Sequence, residues 1–218
     1  MIQSGVTSDL LTVETTHKAA RITTRPPEAL GHFHLAAPTG LLTTASVAAN
    51  GPLFSMRYAP GTPTVAVITK VSIGFAQTVG WTASAAHEFG LYVARTWTAS
   101  DSGGTQVVVT GNTNKARTTM DPSGMTDVRV ASTTTFTAGT RTLDTNAMAL
   151  TVVPTSQVAA ASAVYPFLQE VIFDHNTSDH PIVLQNNEGI VINNITVFPA
   201  AGTAKMIFNI EWFETTAY

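Results

Sequence analysis

The residues able to do chemistry are few and scattered. His32 and His34 stand two apart, which on a strand puts both imidazoles on one face. Such a pair binds a metal ion when a third ligand arrives from elsewhere. It is equally the polar side of a half-buried strand. Asp174, His175, Asp179 and His180 fall within seven residues. Carboxylates at that density suit a divalent cation at a subunit boundary, but their spacing fits no calcium loop. The same stretch is made of Asn, Thr, Ser and Asp, the usual turn formers. His87 and Glu88 are adjacent, so their side chains diverge on a strand. Asp101-Ser102-Gly103-Gly104 lacks the G-x-S-x-G frame of a nucleophile elbow. Neither a phosphate-cradling glycine loop nor H-E-x-x-H occurs. Among 14 acidic residues a glycosidase pair distant in sequence stays open. Nothing singles one out, and the reading is of a non-enzyme with no cofactor and no metal.

The aromatic residues carry a second kind of chemistry. Trp81 lies in the loop Val79-Gly80-Trp81-Thr82. Exposed there, it would stack on a sugar or plug into a neighbouring subunit. Folded back, it would anchor the loop on the core. Trp97 and Trp212 continue apolar strand faces and read as core.

The elements that must hold these residues are strands. The 218-residue chain has 36 threonines and only 11% charged residues, against roughly 25% in an average soluble domain. Thr, Val and Ile are stiff at χ1 and favour pleated surfaces. Alternating runs recur: Phe33/Leu35, Phe54/Met56/Tyr58, then Val65, Val67, Thr69, Val71, Ile73 and Phe75. A further run sets Phe89, Leu91, Val93, Arg95 and Trp97 on one face. Residues 180–214 read as three antiparallel strands with short turns, the last with Met206, Phe208, Ile210 and Trp212 on one face. Its other face mixes Ile207 and Phe213 with Lys205, Asn209 and Glu211. Pro60-Gly61-Thr62-Pro63 and Asp101-Ser102-Gly103-Gly104 mark turns. The Ala-rich window 157–163 has room for a short helical turn. Eight to ten short strands with Gly/Pro turns predict an all-β fold, best fitted by a jelly-roll-like antiparallel β-sandwich. Residues 29–218 form that sandwich in this reading. Residues 1–28, ending Arg25-Pro26-Pro27, form an extended N-terminal arm or an edge strand.

Bulk properties narrow the partners. Net charge is −3 and cysteine is absent, so neither nucleic-acid electrostatics nor a disulfide framework is indicated. No signal-peptide pattern opens the chain, and no run reaches the ~18 apolar residues of a membrane helix. A surface so poor in charge fits one covered by other subunits, since interface cores are depleted in charge.

Three groups of motifs, spread in order along the chain, resemble the jelly-roll head decoration and cement proteins of tailed bacteriophages. They are Lys18-Ala19-Ala20-Arg21 with Arg25-Pro26-Pro27-Glu28; residues 99–105 with Thr140-Arg141-Thr142-Leu143; and His180-Pro181-Ile182-Val183-Leu184 with Asn187-Glu188-Gly189-Ile190. The resemblance implies a virion protein made in the host cytoplasm, placed on the capsid surface, and assembled with itself, as a homotrimer, and with the major capsid protein. Lys18, Arg21, Arg25 and Trp81 are then the candidate subunit and capsid contacts. Membrane and direct nucleic-acid partners are not expected; a glycan is possible. Alternatives are a tail, collar or fibre component, a shell-forming jelly roll, or a lectin-type carbohydrate-binding module.

Overall fold

A computed structural model describes residues 30–43, 47–81, 85–155, 167–176, 180–199, 201–216 and 218. The arm at 1–28, with Lys18, Arg21 and Arg25, and the window 157–163 lie outside the described residues. Among the described residues there is no helix. Thirteen strands run β1 Gly31–Pro38, β2 Leu42–Thr43, β3 Gly51–Tyr58, β4 Val65–Val79, β5 Ala85–Trp97, β6 Thr105–Val107 and β7 Met125–Val130. They continue as β8 Arg141–Leu143, β9 Ala149–Thr155, β10 Phe167–Asp174, β11 Ile182–Leu184, β12 Glu188–Asn194 and β13 Thr203–Thr215. Strands beyond the eight to ten expected are short ones, β2, β6 and β8, whose two or three residues carry too little alternation to be seen.

The strands form two antiparallel sheets packed as a sandwich. The first runs β1-β13-β4-β10, with β11 on β4 and β2 on β13; the second runs β6-β7-β3-β12-β5-β8, with β9 also on β5. Take β1, β3, β4, β5, β9, β10, β12 and β13 as first to eighth. The first sheet is then ordered first, eighth, third, sixth, and the second sheet second, seventh, fourth, fifth. That is a jelly-roll-like order, two interlocked Greek keys.

The closing residues need a correction here. All three strands exist, but none pairs with the next. β11 pairs with β4, β12 with β3 and β5, and β13 with β1, β4 and β2. Their short connections cross from one sheet to the other. A Gly/Asn turn does not reveal whether the chain folds back as a hairpin or arches over the core.

The core lies between the sheets. Met206, Phe208, Ile210 and Trp212 of β13 are all buried. Trp212 stacks on Phe33 at 5.3 Å and Phe208 meets Phe54 at 5.2 Å. Phe213, expected on a mixed outer face, is buried too. It meets Tyr218 at 6.1 Å.

β-bulges overturn two other face assignments. In the β4–β13 register Glu211 faces Lys70 but Trp212 faces Ile68, leaving Thr69 as the extra residue. One extra residue exchanges the faces. Val71, Ile73 and Phe75 therefore join the core together with Ala66 and Ile68, and Val67 lies on the opposite face, buried and in register with Phe213. Similarly, Ala94 pairs with Leu143 and Thr96 with Thr142, so Arg95 is the extra residue of β5. Beyond it Trp97 leaves the face of Phe89, Leu91 and Val93. It packs on the outer side of the second sheet with Ala94, Val191 and Leu143.

That placement requires a glycine. A Cβ on Gly189 would stand 2.4 Å from the Met56 carbonyl oxygen and 2.7 Å from the Trp97 ring. Gly189→Ala is expected to cost about 1–3 kcal/mol through overpacking. Urea denaturation measures it, and an unchanged midpoint would show that Trp97 does not lie there.

Candidate functional site

Residues 99–104 and 137–141 come together on the outer face of the second sheet and seal a polar knot there. Asp101 Oδ2 accepts hydrogen bonds from Ser55 Oγ at 2.7 Å and from Arg141 Nη1. Its Oδ1 accepts from the Gly139 amide at 2.7 Å, and its own amide donates to Asp127 Oδ2 at 2.8 Å. Asp127 takes positive φ at a bulge in β7, a conformation an Asp tolerates. Its other oxygen accepts from Arg129 Nε at 3.0 Å. Arg141 also lies 4.7 Å over the Trp97 ring. The side chains of Arg141 and Asp101 are 3% and 0% exposed. No ligand reaches them, so the knot fastens these stretches to the sheet. It joins residues 99–105 to 140–143, two stretches that the sequence presents as separate.

These stretches stop short of the β5–β9 side. There β9 turns Leu150 and Val152 outward, with Met148 just before it; they are 63%, 50% and 51% exposed. Leu150 pairs across to Gly90, which adds no side chain of its own. The Tyr92 ring, Ile195 and Ala147 crowd the space where a Gly90 Cβ would stand, at 2.7, 3.0 and 3.3 Å. An apolar surface is thus continuous from β9 onto β5 and the residue following β12. Sequence alternation could have found it, since Leu150 and Val152 lie on one face. Which face is solvent depends on the fold.

Of the candidate contacts named from sequence, Trp81 is corrected. It is 2% exposed and belongs to the core. Its ring centroid lies 4.5 Å from His87, 5.0 Å from Phe198 and 6.1 Å from Phe75. Gly202, at φ +103°, lets the following turn close on the indole. An exposed sugar-stacking or plugging role is therefore lost in this fold. Trp97 and Trp212 are fully buried as well.

The histidines and acids fall apart spatially. His32 and His34 have ring centroids 4.8 Å apart, and His34 Nδ1 stands 3.7 Å from Glu211 Oε1. Asp174 accepts from the Asn176 amide at 3.0 Å, the main cause of its lowered pKa, and lies 4.0 Å from Lys70. Asp179 lies outside the described residues. Among the described residues no group of three or more His, Cys, Asp or Glu is placed to hold a metal ion. Glu88 points to the outer face while His87 is buried.

His87 and Glu214 are buried titratable groups away from the knot. His87 packs against Trp81 and Phe198; burial lowers its pKa from 6.5 to about 4. Glu214, at the far end of β13, accepts from Ser123 Oγ at 2.6 Å, Gly124 N at 3.0 Å and Trp212 Nε1 at 3.1 Å. Burial holds its pKa above the ordinary carboxylate value despite those donors. It borders a cleft of about 580 Å³ beside 60–64 and 121–124. With its oxygens engaged it ties loop 121–124 to β13. Asp121 is the other carboxylate that lines the cleft.

No protein-family model, curated protein or solved structure matches this chain. Its surfaces therefore carry the functional argument.

Proposed function

We propose that this chain is a structural virion protein of a tailed phage, decorating or cementing the head by binding across major capsid protein subunits. The observation that carries the reading is the uncovered apolar row Met148, Leu150 and Val152. The fold places its own residues 99–104 and 137–141 on another part of the same outer face, and leaves this part bare. Exposed apolar surface of this kind marks a protein contact. The low charge of the chain and its jelly-roll-like order are compatible with a subunit held among other subunits. A homotrimer, and an arm at 1–28 reaching a neighbour through Lys18, Arg21 and Arg25, belong to the same proposal. Affinity would come from many modest contacts made at once.

The test is to mix the purified protein with expanded tailed-phage heads stripped of decoration, then sediment and image them. Density across capsid subunit boundaries is the expected result. Leu150→Asp, which puts a charge into the apolar row, is expected to weaken binding roughly tenfold or more while the monomer stays folded. Absence from heads, or unchanged binding of Leu150→Asp, would overturn the reading.

A further inference from the structure

We propose that the outer face of the first sheet carries a binding trough for a neutral saccharide. On a strand alternate residues share a face, and the register aligns them across the sheet. One row across β1, β13, β4 and β10 is His34, Glu211, Lys70 and Asp174. The next row is Ala36, Asn209, Ser72 and Val171; the third is Pro38, Ile207, Gly74 and Gln169. The middle row is short beside the longer His34, Glu211 and Lys70 on one side, and Gln169 stands on the other. The result is a trough of about 590 Å³ crossing the strands, with Asn114 at its β1 edge. That volume lies within the roughly 300–1,000 Å³ of small-ligand sites. Four strands at about 4.8 Å spacing give it the length of about two or three sugar rings.

The chemistry selects the ligand. In the first wall Lys70 faces Asp174 at 4.0 Å, and Glu211 stands 3.7 Å from the His34 imidazole. The wall carries no surplus of positive charge to draw an anionic occupant. The remaining polar groups are neutral. Asn209 Nδ2 donates to Ser72 Oγ at 3.3 Å, which orients its amide. Asn114 is held at β1 by donating its Nδ2 to the His34 carbonyl at 2.8 Å. Gln169 projects into the trough with both ends of its amide available. A planar amide bridges adjacent hydroxyls by donating and accepting side by side, and a carboxylate accepts from two of them. Ala36 and Val171 offer apolar contact to the C–H faces of a sugar ring. No aromatic platform lies in the trough, so a single site is expected to bind weakly, with Kd on the order of 1 mM, strengthened by multivalent display. This site is separate from the apolar row on the opposite sheet and does not rest on the virion reading.

The test is an array of immobilised neutral and anionic oligosaccharides probed with the full-length protein, followed by saturation-transfer NMR with maltotriose, cellotriose and N-acetylchitotriose. Binding to at least one neutral oligosaccharide is expected. Ala36→Arg fills the exposed floor of the trough and should reduce that binding at least tenfold. Gln169→Ala, an exposed change on an edge strand, should reduce it several-fold. Both variants should keep the wild-type melting temperature and head binding. No binding to any neutral oligosaccharide, a preference for anionic ones alone, or binding indifferent to both substitutions would each overturn the proposal.

Discussion

Replacing Asp101 with alanine is expected to destabilise the fold by about 3–5 kcal/mol, because it leaves the buried Arg141 guanidinium without its counter-charge. Arg141 already carries the penalty of burial, which lowers its pKa. The Ser55 hydroxyl and the Gly139 amide would lose their acceptor in the same step. The knot is a costly device whose two halves belong together. Removing both charges should therefore be much milder than removing one. Asp101→Ala combined with Arg141→Leu keeps an apolar group over Trp97 and is expected to recover most of the loss. Urea denaturation of wild type, both single variants and the double variant forms the cycle. A single-variant loss near zero, or a double variant as unstable as Asp101→Ala, would show that the pair is not buried as described. Limited proteolysis should cut within 99–104 or 137–140 first in Asp101→Ala, since those are the stretches the knot fastens.

His87 gives the second large effect, as a pH dependence. Its ordinary pKa is 6.5 and burial lowers it to about 4 in the folded chain. Between those values the unfolded chain takes up a proton that the folded chain refuses. Stability is therefore complete above pH 6.5, falls as pH drops toward 4, and gains no further loss from this group below that. A shift of this size corresponds to about 3 kcal/mol. The environment explains the direction: the ring is 1% exposed and packs against Trp81 and Phe198. Thr196 Oγ1 lies 3.5 Å from Nδ1, and Nε2 is buried with no hydrogen-bond partner. Nothing near the ring compensates a positive charge. His87→Phe fills similar space and cannot titrate. The measurement is unfolding free energy of wild type and His87→Phe at pH 7, 6, 5 and 4. The difference between them should grow as pH falls, with Glu214 and the other carboxylates common to both. Parallel profiles would sink the assignment. Acidification is thus expected to loosen the end of the sandwich where 79–81 and 195–199 meet.

The strand-rich character, the apolar faces of β1, β3 and β13, and the turns at 60–63 and 101–104 were legible in the residues themselves. They are local properties: alternation has a period of two, and Gly, Pro and Asn carry their turn preferences wherever they stand. The candidate surfaces were less legible. Leu150 and Val152 showed their common face, but nothing local told that solvent lay on it. The trough joins residues from β1, β4, β10 and β13, drawn from four distant parts of the chain.

By itself the sequence determined that the chain would build sheets, that Met206, Phe208, Ile210 and Trp212 would face a core, and that no disulfide would hold it. The tertiary structure alone decided which strands pair, and hence which surfaces exist. One added residue at Thr69 and another at Arg95 turned over the faces on either side of them. A bulge is defined by two strands in register, so neither strand announces it. The same holds for Asp101 and Arg141, which meet because 137–141 returns to 99–104, and for Trp81, whose loop closes inward only because Phe75, Phe198 and Gly202 leave a fitted space. Charge and apolarity are written residue by residue, but burial is a property of the whole packing.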